Sequence, residues 1–269
     1  MFFDREYFVK KTETLAAIVG HTTISFIEHL GVFGLFLANC MHVLLTKKLK
    51  IEKIIEQVNS IGVGSLGIII LTGSFAGMVF ALQSYIGFQR VGGEQYIGAV
   101  VALGMIRELG PVLTALMTIG RAGSAIAAEL GSMQITEQID ALKTLRINIF
   151  QYLVIPRILA SAISLPLLAL FSMICGILGG YFICVHILSL NPQDYTTSIK
   201  TYVELSDIMG GVIKSMFFGF ILGCVSTYKG IFTHGGARGV GISTTQAVVI
   251  SSISTLAANY MLTKILENL

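Results

Sequence analysis

Arg107 and Glu108 stand side by side, ten and eleven residues into an apolar run that opens at Ile97. An isolated arginine at the centre of a membrane helix costs about 2.5–3.5 kcal/mol on insertion scales, so the pair must face a bundle interior or a wet cavity. Pro111 sharpens the demand: it has no N–H, so the carbonyl of Arg107, four residues back, needs another partner or water. Two readings of the pair are open, a neutralised lock between two spans and a path for ions or protons. Lys214, seven residues after Asp207 in a later apolar run, could neutralise a buried acid or snorkel to an interface.

A second concentration of charge lies in GRAGSAIAAELGSMQITEQIDALKTL, residues 120–145. Gly120, Ser124 and Ala128 recur every four residues, which lets another backbone approach closely. On an uninterrupted helix of about 100° per residue, Glu129 and Asp140 fall about 20° apart and Glu137 about 80° from Glu129. If Gly131 does not break that helix, the three carboxylates share one broad face while Ile135, Ile139 and Leu142 point mostly elsewhere. Such a face is either solvated or a docking surface. No His or Cys stands at ligand spacing beside these acids, so no metal site is indicated.

Other lookalikes are weaker. GGARGVGIS, residues 235–243, has the glycine spacing of a phosphate loop, but Ile242 stands where the lysine belongs and the motif follows an apolar run rather than a buried strand. It reads as a tight turn before the last span, with His234 and Arg238 holding it at the interface. Ser, His and Asp show no nucleophile elbow or triad ordering. Cys40, Cys175, Cys184 and Cys224 form no CxxC pair and read as packing residues. No catalytic residue, cofactor or metal is expected.

These residues need elements to position them, and composition says which. The chain is 54% hydrophobic and only 12% charged, with a mean hydropathy of +0.80, whereas soluble domains are about a quarter charged. It is an integral membrane protein. The net charge of +3 is dispersed, with no basic stripe, which excludes nucleic acid as a partner. Five segments reach the ~20 residues needed to cross a bilayer: 61–83, 97–119, 152–188, 207–227 and 240–262. The third is long enough to tilt, with Pro156 and Pro166 as bend points.

Residues 15–45 are apolar but interrupted by His21, Glu28, His29, Asn39 and His42, and they end in KKLKIEK, the pattern of a helix lying in the interface. MFFDREYFVKK, residues 1–11, lacks the features of a removable signal peptide. Residues 1–58 carry seven Lys/Arg, 121–157 four and 228–239 two, against Arg90, Lys200 and Lys264 on the other side. That bias places the amino terminus in the cytoplasm and, after five spans, the carboxyl terminus outside. With no linker to divide it, residues 1–269 read as one domain, 1–58 cytoplasmic or interfacial and 59–269 the five-span core. No internal repeat is visible, which weakens an inverted-repeat transporter.

The strings RELGPVLTALMTIGRAGSAIAAELGSMQITEQIDAL, PRILA from Pro156 and GGARGVGISTTQAVVISS from Gly235 closely resemble the MlaE-type permeases of ABC lipid transporters, over most of the chain from about residue 60. The resemblance implies an all-α polytopic protein with an interfacial elbow helix, five transmembrane helices and a cytoplasmic coupling helix. It implies a homodimeric inner-membrane permease that moves phospholipid and works with a separate cytoplasmic ABC ATPase and an MCE-domain lipid-binding protein; an organelle envelope is also open. By matching motif it assigns Arg121, Glu129, Gly131, Met133, Glu137, Gln138 and Asp140 to the coupling element that meets the ATPase. It favours a lipid-headgroup role for Arg107 and Glu108. Carried across without a gap, it adds Phe80, Gln83, Tyr85, Gly87, Phe88 and Val91 as the pocket wall. Arg146 and Phe150 stand where relatives carry glycine and then proline, leaving Asn148 as the expected left-handed cap. Asn259 stands where relatives often have aspartate. The rival classes are a stand-alone secondary transporter or channel using Arg107 and Glu108, and a structural membrane scaffold.

Overall fold

The structure, a computed structural model, describes residues 24, 27, 28 and 31–266, without the side chain of Val91. The expectations for residues 1–11 and for most of 15–30 lie outside these. The contacts divide the chain into two units, one ending at Lys47 and one beginning at Lys48. No strand occurs among the described residues.

In the first unit, helix α1 (Gly31–Thr46) buries Phe36, Cys40 and Val43, one face by their spacing, and exposes Leu35, Met41 and Leu45. Burial pushes the Cys40 thiol up to about 12.

Among its described residues the second unit holds five helical segments long and apolar enough to cross a membrane: Ile51–Phe88, Glu94–Ile135, Phe150–Ile187, Leu205–Ile231 and Gly236–Leu266. This is an all-α, multi-pass membrane protein; four of the five stretches expected from hydropathy lie within these segments, and the third overruns its segment by one residue, Leu188. The first segment is two helices, α2 (Ile51–Ile61) and α3 (Leu66–Phe88). The second runs through α4 (Ile97–Gly104), α5 (Gly110–Thr118) and α6 (Ser124–Ile135), joined by wide helical turns at Met105–Leu109 and Ile119–Gly123. A short helix α7 (Gln138–Thr144) precedes α8 (Ile155–Phe182), which runs unbroken through Pro166. Next come α9 (Pro192–Tyr202), α10 (Leu205–Ile231) and α11 (Gly236–Leu266).

Why these helices pack as they do is written in their faces. Along α8, the exposed Ile163, Leu167, Phe171, Ile174, Leu178 and Phe182 recur every three or four residues, an apolar stripe fit for lipid. The opposite face is small: a Cβ on Gly77 of α3 would sit 1.9 Å from the carbonyl oxygen of Gly176 on α8, so the two backbones touch. Without a hydrophobic drive between helices in lipid, such close packing supplies dispersion contact in its place. One core gathers Ile119, Leu130, Ile139, Leu165, Phe218 and Leu222; a second, around Ile97, Val101, Met105 and Cys184, is closed by Tyr195.

Caps fix where α9 and α10 begin. Asn191 accepts the N–H of Gln193 with Pro192 in the first turn, the preferred start of a helix. Glu204 and Asp207 form a reciprocal capping box at the start of α10. Tyr195 donates its hydroxyl to the carbonyl of Ile177 at 3.1 Å, and burial, helped by nearby Cys184, pushes its phenol above the ordinary range.

Candidate functional site

Pro111 is the seed of the site. Its ring would collide with the carbonyl four residues back in a regular helix, and the preceding turn, Met105–Leu109, is wide: the Gly110 N–H bonds to Met105 O instead. Such widened turns are frequent at functional sites. The Arg107 carbonyl, to which Pro111 offers no N–H, accepts the Lys214 ammonium of α10 at 2.9 Å. Lys214 spends its other two protons on Glu108 Oε1 and Thr263 Oγ1, both at 2.7 Å. It is buried rather than snorkelling, and all three of its donors are engaged.

Glu108 is held on three sides. Besides Lys214 it accepts the Asn259 amide at 2.7 Å on Oε2 and the Thr263 hydroxyl at 2.9 Å on Oε1. Asn259 and Thr263 lie one turn apart on α11, so the fifth span presents both to the same carboxylate. Arg107 turns instead to Asp207: Nε donates to Oδ1 at 2.7 Å and Nη2 reaches the same oxygen. The other oxygen of Asp207 accepts the Glu204 N–H at 2.9 Å, so the capping box aims the carboxylate. The adjacent charges of the sequence are thus not each other's main partners. They form two pairs across to α10, and these line a cavity of about 420 Å³ with Ser206, Gly210, Gly211, Thr263 and Leu266.

The six residues carried over as a pocket wall divide. Phe80, Tyr85 and Phe88 pack against the second core, and Phe80 lies over Gly104, where a Cβ would come within 2.4 Å of its ring. Gln83 and Gly87 are exposed, and the side chain of Val91 is not described. None of the five whose side chains are described lines the cavity of Arg107 and Glu108.

The coupling segment also departs from the uninterrupted helix. α6 passes through Gly131, which is buried against Thr233, and ends at Ile135. Glu137 then takes a left-handed backbone, φ 58°, before α7 starts. The helix therefore breaks at residues 136–137, and the shared carboxylate face does not form. Glu129 is paired across to Arg157 of α8 at 2.8 Å, and Arg157 also donates to the Leu153 carbonyl. Arg121 reaches back to the end of α2, donating to Ser60 O and Ser65 Oγ at 2.9 Å each. Met133 packs on the first core. Glu137 and Gln138 are exposed, and Asp140 pairs with Lys143 at 2.7 Å on α7.

α7 closes without Asn148. Arg146 itself is left-handed, φ 57°, the Arg146 N–H bonds to Lys143 O and the Ile147 N–H to Leu142 O. This is the paired closure of a Schellman motif. Asn148 instead accepts the N–H of Gln151 at 3.2 Å, opening the next helix. Similarly, Gly236 to Gly241 are helical within α11, after a turn in which Gly235 and Gly236 have positive φ; the stretch is no phosphate loop. No cluster of His, Cys, Asp and Glu suited to a metal occurs among the described residues.

Asp207 and Arg157 were missed as site residues, although both are charges in apolar runs, which was signal enough. Thr263 gave no such signal.

Comparison with known proteins places this geometry. Residues 54–265 match the family described as Permease MlaE. A probable ABC transporter permease protein of Rickettsia typhi is 43% identical over 252 residues, 94% of this chain and 97% of that one. A probable ABC transporter permease protein of Synechocystis is 41% identical over 208 residues, 77% and 79% of the two chains. In Arabidopsis thaliana the chloroplastic protein named trigalactosyldiacylglycerol 1 is 38% identical over 219 residues, covering 81% of this chain and 63% of that one. With five apolar segments and a match over most of its length, the chain belongs to the MlaE permease family.

Proposed function

We propose that two copies of this chain form the membrane part of an ABC-type transporter that moves phospholipid, driven by a separate cytoplasmic ATPase and exchanging lipid with an MCE-domain partner. The observation that carries the reading is a charged cavity of about 420 Å³ built into spans of an MlaE-family permease. A cavity with balanced charge inside an apolar bundle suits an amphiphile, whose head needs polar partners while its tails stay in lipid. The lipid in the name of the Arabidopsis relative points the same way.

In this reading the membrane is the bacterial inner membrane or its organelle counterpart, with the amino terminus cytoplasmic and the carboxyl terminus periplasmic. Glu137, Gln138 and Asp140 on and before α7 offer acids and an amide to the ATPase. Arg121, Glu129, Gly131 and Met133 hold the coupling segment to the bundle through the contacts described above. Gln83, Gly87 and the neighbouring face of α3 meet lipid tails, with Phe80, Tyr85 and Phe88 shaping that helix. The chain is the non-catalytic subunit.

The test is copurification and lipid analysis. The tagged chain should bring down an ATPase, and replacing Glu137 and Asp140 together by Lys should release it. Mass spectrometry of the purified complex should find bound glycerophospholipid. A chain that purifies without ATPase or lipid, yet accumulates a solute against a gradient, would support the stand-alone transporter instead.

A further inference from the structure

The four charges of the cavity differ sharply in what they leave open. Lys214 is 4% exposed and Asp207 6%, while Arg107 is 53% and Glu108 39% exposed. The buried two are closed to the cavity: each Lys214 proton has an acceptor, and Asp207, with Arg107 on one oxygen and the Glu204 N–H on the other, is covered on all but 6% of its surface. The exposed two are not. A guanidinium has five N–H donors, and Asp207 engages those of Nε and one on Nη2. A carboxylate offers about four lone-pair sites, and Lys214, Asn259 and Thr263 occupy three of those on Glu108.

What faces the cavity is therefore one cation and one anion with spare valence, on neighbouring residues of one wide turn, each backed by its own buried counter-ion. We infer that this is a site for a zwitterionic headgroup, its phosphate on the Arg107 guanidinium and its ammonium on the Glu108 carboxylate. The inference rests on the lipid reading and adds the headgroup class. An anionic head without an ammonium would satisfy Arg107 but bring its charge toward Glu108 with nothing to offset it. Asn259 contributes by being neutral: it donates to Glu108 without adding a charge, so the four ionised groups sum to zero. The cavity volume falls in the usual range of ligand pockets, roughly 300–1,000 Å³.

The test uses the wild-type full chain in mixed micelles containing equal amounts of phosphatidylethanolamine, N-acylphosphatidylethanolamine and phosphatidylglycerol with matched acyl chains. Lipid retained through purification is quantified by mass spectrometry. The N-acylated lipid keeps the phosphate and replaces the ammonium by an amide with an added acyl group, and phosphatidylglycerol lacks the ammonium without that bulk, so the two together test the contact to Glu108. Phosphatidylethanolamine should be enriched about tenfold over both others, the scale of one charge-assisted hydrogen bond. Glu108→Gln, in folded protein, should bring the ratio to about one.

Retained lipid without headgroup preference, or with preference for phosphatidylglycerol, overturns the zwitterion site and leaves the lipid reading standing. Retention of no glycerophospholipid overturns both.

Discussion

Replacing Lys214 by Met keeps the aliphatic stem and removes three donors at once. The Arg107 carbonyl loses the donor that stands in for the N–H Pro111 cannot supply, and an unsatisfied buried acceptor costs about 1–3 kcal/mol. Glu108 loses its counter-ion. Breaking a buried pair costs about 3–5 kcal/mol, but Glu108 keeps Asn259 and Thr263 and opens on the cavity, so its share falls well below that range. A total of about 3 kcal/mol is expected, a fall in Tm of roughly 6–12 °C on the scaling of domains of 150–250 residues. The assay is reversible unfolding in mixed micelles, run on a double-mutant cycle with Pro111→Ala. Alanine at 111 restores an N–H that can reach Arg107 O, so it should recover about 1 kcal/mol in the Lys214→Met background, and much less when Lys214 already fills that acceptor. A Lys214→Met protein as stable as wild type, or a Pro111→Ala effect equal in both backgrounds, would refute the account of this turn.

Four further outcomes are expected. Glu129→Ala leaves the buried Arg157 guanidinium without a carboxylate and should cost about 2–3 kcal/mol in the same unfolding assay; Glu137→Ala should stay within about 0.5 kcal/mol, as exposed substitutions do, while lowering ATPase stimulation. Arg146→Gly should raise stability by about 1 kcal/mol, because glycine takes the left-handed φ without the Cβ penalty. Tyr195, its phenol pushed up by burial, should stay protonated in the folded protein where the unfolded chain ionises near pH 10. Stability tied to it is then full below that pH and lost as pH rises toward the raised folded value. Phenolate absorbance and melting from pH 9 to 11.5 check this, and Tyr195→Phe should remove the loss.

What the sequence exposes here is what local physics decides. Length and hydropathy delimit the five spans, because any helix that crosses hydrocarbon must be long and apolar. Pro111 likewise announces a carbonyl in need of a donor, since the missing N–H is a covalent fact. The donor itself is not legible: Lys214 lies 107 positions away from Arg107, and the register of two long helices decides whether they meet. Glu129 shows the opposite failure. Its angular relation to Glu137 and Asp140 presumes one straight helix, and a single left-handed residue at 137 removes that premise. At Arg146, residue preference points to asparagine two positions on, but the two backbone bonds that close α7 demand a left-handed residue at 146 whatever its side chain. Tertiary packing of Ile139 into the first core holds α7 where that closure is needed.

Under the proposed function, the second segment is the member that joins the two ends of the machine. Glu94–Ile135 is helical throughout and 42 residues long, about 63 Å at 1.5 Å per residue, twice the hydrocarbon thickness of ~30 Å. Arg107 and Glu108 sit on its first wide turn, Arg121 on its second, and Glu129 on the α6 stretch that leads to α7. A displacement of α7 must therefore enter the bundle through α6. There Arg121 ties the segment to α2 and the Glu129–Arg157 pair ties it to α8. Both ties are charge-assisted and reach other segments of the bundle, while α7, between its left-handed junctions, is held to the bundle by Ile139. The pull reaches the cavity as an axial shift of one helix against α10 and α11, where Glu108 is held by Lys214, Asn259 and Thr263 at hydrogen-bond lengths of 2.7–2.9 Å. An ångström of lengthening along these bonds takes them beyond their effective range, so in this reading a movement at the coupling end that draws the segment away from α10 or α11 changes which charges face the lipid.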